Sequence, residues 1–574
     1  MRYLKSIVGT LLTLFFAVTI VAAQPAIISQ RDIYTPVKGR SGMVVTGEPV
    51  AARAGLEVLR KGGNAVDAAV TIGFVMAVTL PRAGNIGGGG FMLIYSAKTD
   101  EVLAIDYRER APAGAHRDMF LDGDGNVDNT LSRFSHLSTG VPGTVAGLVL
   151  ALKRYGTISL TEALKPAIKL AEEGFSVTPE LSSAIKSQAE RLKKWPSTRE
   201  KFFKPDGSFY EPGDLLVQRD LAKTLKAISH RGARAFYEGK IAKRIIEEME
   251  LNGGLITRDD LKNYTPVIRQ PVHGTYRGYD IYSMSPPSSG GVHIIQILNI
   301  LEGYDIGSLG HNSTVAIHLL SEGMKRAYAD RSRYLGDPDF VDVPVEGLTS
   351  KEYAERLWGE IDRRRARKSK SIFPGEPPGY ESSETTHFSV VDSEGNAVSN
   401  TYTINFSFGS GIVVNGAGFL LNNEMDDFSA KPGVPNAYGL IGGTANAIGP
   451  KKRMLSSMSP TIVLKDSKPF IITGSPGGSR IITTTLQVIM NVIDHGMNIQ
   501  EAVNAVRVHH QWLPDEIRVE EGISADTMRI LEGMGHKISV KNTMGAASSI
   551  LVDDADGILY GASDPRRRGL AVGY

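Results

Sequence analysis

The sequence predicts an α/β protein built of stacked layers, and three observations lead there. Strand-like and helix-like runs interleave along the 574 residues instead of segregating. Hairpin signals recur, notably Ser393-Glu394-Gly395-Asn396 between two β-rich runs and Asp556-Gly557 inside Ile550–Tyr560. Apolar stretches such as Ala51–Leu80 and Ile481–Ile493 have the length and pattern of buried helices that cover sheets.

Composition narrows the function classes. Hydrophobic residues at 42% exclude a disordered chain. Lys and Arg number 64 against 62 Asp and Glu, so a broad basic nucleic-acid surface is not expected. The chain has no Cys, which excludes disulfides, thiol catalysis and thiolate-held zinc or iron–sulfur centres.

Residues 1–23 read as a signal peptide. Arg2 and Lys5 are its positive start, Ile7 to Val21 its apolar run, and Val21-Ala22-Ala23 its small-residue cleavage site. The alternative is an uncleaved anchor, but the run falls short of the ~20 residues that span a bilayer comfortably. The mature chain is therefore expected to be exported, with no stable membrane span.

The elements then follow in order. Ala51–Leu80 is a buried helix pair ending at Pro81 and the loop 84–90, which is rich in glycine. Phe91–Tyr95 and Val102–Tyr107 are paired strands. A glycine run before a strand is not a phosphate loop, which runs strand, loop, helix, so it reads as close backbone packing. Residues 143–262 are mostly helical by periodicity. Asp122 to Asp128 imitates a calcium loop, yet Arg133 stands where a bidentate Glu is needed, so a polar turn is expected. Residues 363–384 hold the basic run Arg363 to Lys370, then Pro374, Pro377 and Pro378, and read as an exposed, mobile linker. Directly behind it, Thr385-Thr386-His387-Phe388-Ser389-Val390-Val391 begins a hairpin whose second strand is Ala397–Asn405.

Four places could carry chemistry. Ser475-Pro476-Gly477-Gly478-Ser479-Arg480 joins a strand to the helix at Ile481, where free amides and a helix N-terminus could hold an oxyanion. Ser285 to Gly291 has the same form before Val292–Leu301, and spacing alone does not separate the two loops from plain strand–helix turns. The Thr pair is the second place. Were the bond before Thr385 cut, a new α-amine with pKa of about 7.7–8.0 would sit beside the hydroxyl and serve as its base; otherwise it is an ordinary β-strand Thr. Asn422-Asn423-Glu424-Met425-Asp426-Asp427 could receive an ammonium, or be a solvated turn. Leu455-Ser456-Ser457-Met458-Ser459-Pro460 opens a strand with hydroxyls, a pattern equally typical of caps. His509-His510 point to opposite sides and find no third ligand in sequence, so no metal is expected.

Together, T-T-H-F-S-V-V-D at 385–392, L-N-N-E-M-D-D-F-S at 421–429, L-S-S-M-S-P-T-I-V at 455–463 and G-S-P-G-G-S-R at 474–480 resemble the gamma-glutamyltranspeptidase family of N-terminal-nucleophile hydrolases. The resemblance runs from about Tyr34 to Tyr574. It implies a four-layer αββα sandwich formed jointly by two subunits cut from one precursor between Glu384 and Thr385. Residues 24–384 would be the large subunit and 385–574 the small one, held as a non-covalent heterodimer. It implies Thr385 as nucleophile, Thr403 orienting its hydroxyl, and Gly477 and Gly478 as oxyanion donors. Arg108, with Ser456 and Ser457, would hold the substrate α-carboxylate. Asn405, Glu424 and Asp427 would take its α-ammonium; some members carry Gln where this chain has Glu424. Tyr438 would belong to a lid within 431–443. The implied activity is cleavage of the γ-glutamyl amide of glutathione and related compounds, without a cofactor, passing the glutamyl group to water, amino acids or dipeptides in the periplasm or outside the cell. Relatives specialised for cephalosporin side chains or poly-γ-glutamate are the enzymatic alternatives; a secreted protein that only binds γ-glutamyl peptides is the non-enzymatic one.

Overall fold

Two seven-stranded antiparallel sheets lie face to face in the computed structural model, which describes residues 33–372 and 385–574. The first sheet runs Leu570–Gly573, Met43–Thr46, Thr386–Val391, Ala397–Thr403, Gly89–Ser96, Glu101–Asp106, Val267–Arg269. The second runs Val37–Gly39, Ile558–Ser563, Ser548–Asp553, Lys468–Thr473, Thr461–Lys465, Tyr279–Ser283, Val272–Tyr276. Each sheet combines strands from before residue 372 with strands from after residue 385. The strand Thr386–Val391 sits between Met43–Thr46 and Ala397–Thr403. Neither part of the chain could complete either sheet alone.

Alternation along the strands sends side chains into two different cores. Phe388, Val390 and Val398 point outward to helices Pro49–Arg60, Ala65–Thr79 and Thr144–Tyr155. Val391, Ala397, Phe91 and Leu93 point inward and meet Ile462, Ile472 and Ile550 of the second sheet. The outer face of that sheet packs Ile281, Val463 and Ile471 against helices Gly290–Glu302, Thr314–Tyr334 and Ile481–Ile493. The order is therefore helices, sheet, sheet, helices, the αββα sandwich.

Ser389 and Ser399 of the 385–405 hairpin face the second sheet and bond to it. Ser389 Oγ donates to the Ser548 carbonyl at 2.9 Å, and Ser399 Oγ donates to the Thr473 carbonyl at 3.0 Å. His387 is enclosed between Thr401 and Ser389, and burial lowers its pKa to about 3, so it stays neutral.

The helix pair, the strands around residues 91–107, the helical stretch 143–262, the helix Ile481–Ile493 and both hairpins fall where the sequence pattern puts them. The glycine loop packs as expected: a Cβ on Gly87 or Gly88 would run into the carbonyls of Leu420 and Thr403. Asp122 accepts from the amides of Asp124 and Asn126, which makes that segment a turn. In the two large sheets, six strands lack a clear sequence signal, at Val37–Gly39, Met43–Thr46, Val267–Arg269, Val272–Tyr276, Tyr279–Ser283 and Leu570–Gly573.

One expectation is corrected. The basic run does not begin a free linker, because residues 363–372 are docked. Lys325 Nζ donates to the Arg367 carbonyl at 2.8 Å, Ser369 Oγ to Asp515 at 2.7 Å, and Trp512 Nε1 reaches the carbonyls of Ser369 and Ile372. Carbonyls and serine hydroxyls supply this anchoring, and neither shows in a charge count. The rest of the expected linker, with Glu384, lies outside the described residues, as does the signal peptide.

Candidate active site

Thr385 immediately precedes the central strand Thr386–Val391. Thr386 pairs with Tyr402, so the same register carried back one residue brings Thr385 opposite Thr403. Thr385 Oγ1 donates to Thr403 Oγ1 at 3.4 Å, and Thr403 Oγ1 also accepts the Asn405 amide at 2.8 Å. Arg567 Nη1 donates to the Thr385 carbonyl at 3.2 Å. Asn405 adopts φ +71°, a left-handed backbone that Asn tolerates better than most residues and that recurs at functional sites.

The 474–480 loop closes one side. Gly477 has φ +140° and Gly478 φ +57°, conformations that L side chains rarely adopt. Among the described residues neither amide is taken up by an acceptor of the chain, and Gly478 opens the turn leading into Ile481–Ile493. Gly478 lines the pocket, and Gly477 precedes it in the chain. The Ser285–Gly291 loop proves to be a support. Ser289 donates its amide and its hydroxyl to the Ser456 carbonyl, and Pro287 accepts the Ser456 amide. It thereby fixes the Ser456-Ser457 segment from behind.

Opposite Thr385 the acidic turn is buried, so the solvated-turn alternative fails. Arg108 is fully enclosed; its Nη1 pairs with Glu424 and its Nη2 with Asp427 at 2.5 Å, while Glu109 lies 3.5 Å away. Burial pushes the carboxyls of Glu424, Asp427 and Glu109 up despite that guanidinium, Asp427 to about 6. The three carboxyls hold Arg108 firmly in its charged form. Asp426 turns away to Ser132 and Arg133. Tyr438 lies over the pocket with its hydroxyl bonded to Asn405 Oδ1, and its ring meets Phe406 at 5.8 Å.

One cleft collects Thr385, Thr403, Asn405, Arg108, Glu424, Asp427, Ser456, Ser457, Tyr438 and Gly478. Residues as distant in sequence as Arg108 and Gly478 thus line one cleft. The sequence reading missed Arg331, which lines the same cleft, and Arg567. Both belong to charge-rich stretches that read as solvated. Chemically the cleft offers a hydroxyl nucleophile, free backbone donors beside it, and at the far end acceptors for an ammonium next to guanidinium and hydroxyl donors for a carboxylate.

Among the described residues no helix is long and apolar enough to cross a membrane. The glutathione hydrolase proenzyme of Escherichia coli strain K12 is 55% identical over 546 residues, covering 95% of this chain and 94% of that protein. The crystal structure of Helicobacter pylori gamma-glutamyltranspeptidase is 50% identical with a TM-score of 0.56, over 57% of this chain and 94% of that one. A cephalosporin acylase structure from Bacillus halodurans is 29% identical with a TM-score of 0.84, over 97% and 99%. A sequence model of the gamma-glutamyltranspeptidase family matches residues 51–574, and with it the chain belongs to that family.

Proposed function

We propose that this chain is an exported, self-cleaving gamma-glutamyltransferase and glutathione hydrolase. The observation that carries the reading is the single cleft in which Thr385 faces Arg108, Glu424, Asp427, Ser456 and Ser457. In maturation the Thr385 hydroxyl attacks the carbonyl of Glu384. The acyl group moves from nitrogen to oxygen, and water hydrolyses the ester. The products are a large subunit ending at Glu384 and a small one starting at Thr385. They stay together because the strands of both sheets come from both parts.

In turnover the α-amine of Thr385 takes the proton of its own hydroxyl as the oxygen attacks the γ-amide carbonyl. The Gly477 and Gly478 amides receive the negative oxygen, and the amine passes the proton to the leaving nitrogen. Thr403 holds the attacking hydroxyl in line. Arg108, Ser456 and Ser457 hold the α-carboxylate, while Asn405, Glu424 and Asp427 take the α-ammonium. Tyr438 closes the pocket over the bound glutamyl group. Water then yields glutamate, or an amino acid or dipeptide accepts the glutamyl group. Every step uses groups of the chain itself. The leader at residues 1–23 directs the enzyme to the periplasm or beyond.

The cephalosporin acylase likeness keeps acylase chemistry as the second reading, but three buried carboxyls around Arg108 suit a substrate that brings its own ammonium. N-terminal sequencing of protein from the native host tests the proposal. Two termini are expected, one beginning Thr385-Thr386-His387-Phe388. A single intact chain that still hydrolyses γ-glutamyl-p-nitroanilide would overturn it.

A further inference from the structure

Helix Thr314–Tyr334 is buried along nearly its whole length yet carries Glu322, Lys325, Arg326, Asp330 and Arg331 inside. Four of these five are accounted for. Glu322 pairs with Lys325 at 2.8 Å and with Arg326 at 2.9 Å, and Asp330 accepts from Gln296 and Tyr353. Arg331 differs. Among the described residues no carboxylate oxygen lies within 4 Å of it, and its two bonds go to hydroxyls: Nε to Ser289 Oγ at 2.9 Å and Nη2 to Ser457 Oγ at 3.3 Å. Burying a guanidinium that touches no carboxylate is costly, and Asp427, beyond ion-pair distance, offsets this only in part. Burial accordingly lowers its pKa. It also lines the cleft that holds Thr385.

Resting on the γ-glutamyl reading above, we infer that Arg331 is a positioning residue for the substrate α-carboxylate, acting through Ser457. The charge arithmetic favours it. Arg108 already faces Glu424, Asp427 and Glu109, so its charge is matched before any substrate arrives. Arg331 brings the positive charge that this end of the cleft otherwise lacks. The hydrogen-bond geometry favours it too. Ser457 Oγ accepts from Arg331, and among the described residues its own proton has no acceptor, so that proton is left to point into the cleft that Ser457 lines. An incoming carboxylate meets a donor whose lone pair is already occupied. The Ser289 bond matters because Ser289 also holds the Ser456 carbonyl, tying Arg331 to the whole serine segment.

The experiment compares two substrates of the mature two-subunit enzyme: γ-glutamyl-p-nitroanilide and 4-aminobutyryl-p-nitroanilide, which keeps the ammonium but lacks the α-carboxylate. Arg331→Gln is expected to raise KM for the first by about 10- to 100-fold, with kcat changed far less, and to leave kcat/KM for the second within about threefold. Ser457→Ala should reproduce the pattern, and the double variant should lose little more than either single one. Arg331→Lys, which keeps the charge but cannot bridge both hydroxyls, should fall between and decides the matter if the Gln variant does not fold. Equal losses on both substrates, or none in either Arg331 variant, would overturn the inference. If wild-type protein ignored both substrates, the γ-glutamyl reading itself would fall instead.

Discussion

Thr403 Oγ1 accepts both the Thr385 hydroxyl at 3.4 Å and the Asn405 amide at 2.8 Å, so one oxygen links the residue at the head of the central strand to the left-handed turn beside it. Thr403→Val keeps the shape and deletes that oxygen. A lost hydrogen bond of this kind costs about 1–2 kcal/mol, so kcat should fall roughly tenfold while KM moves less. Self-cleavage should slow in parallel, because the same hydroxyl serves both reactions. Stopped-time gels of the maturing protein and steady-state kinetics check the two together. A variant cleaving and turning over at the wild-type rate would remove Thr403 from the reaction.

The pH dependence follows from Asp427. Burial raises its carboxyl to about 6 even though Arg108 opposes the shift. A raised pKa means that the carboxylate exists above about pH 6 and is protonated below it. An α-ammonium needs the ionised form, so KM for γ-glutamyl substrates should climb as pH falls through about 6, by up to about tenfold per unit. Asp427→Asn should raise KM at neutral pH and flatten that limb. If KM is constant from pH 5 to 8 in the wild type, Asp427 does not carry the ammonium.

Gly477 gives a prediction about backbone. At φ +140° it occupies a region closed to side chains, and an added Cβ would stand 3.3 Å from Gly545 Cα. Gly477→Ala should cost about 1–3 kcal/mol of local strain. The loop would relieve it by turning its amides away from Thr385. We expect kcat to drop by on the order of a hundredfold, with the protein still folded and binding glutamate. Isothermal titration with glutamate beside kinetics separates the two effects; lost binding with unchanged kcat would contradict it.

What could be read in the sequence was local. The hairpin behind the proline-rich segment, the double glycine between strand and helix, and the helix Ile481–Ile493 depend on neighbours a few residues away, and those were legible. The nature of Asn422–Asp427 was not. Its burial is decided by Arg108, 316 and 319 positions from its two partners, Glu424 and Asp427. Arg331 was hidden for the same reason. A helix with charges at three- and four-residue spacing reads as solvent-facing, and only the tertiary structure shows it enclosed. The docking of residues 363–372 was invisible because the segment is held largely through its own backbone carbonyls, by the distant side chains of Lys325 and Trp512.

The last prediction separates glutamyl from glutaryl substrates. A glutaryl group has the same chain and a terminal carboxylate but no ammonium. In this cleft it would leave Asn405, Glu424 and Asp427 without the ammonium that the proposed function assigns to them. Sites built around a substrate N–H reject analogues lacking it far more strongly than apolar pockets reject a missing methylene. The ratio of kcat/KM for γ-glutamyl- over glutaryl-p-nitroanilide should therefore be on the order of a thousand. Asp427→Asn should narrow it, because a neutral amide holds an ammonium less well than a carboxylate does, while the glutaryl substrate has no ammonium contact to lose. A glutaryl substrate used as well as the glutamyl one would instead favour acylase chemistry, and it would mean that the carboxyls around Arg108 serve only to neutralise that residue.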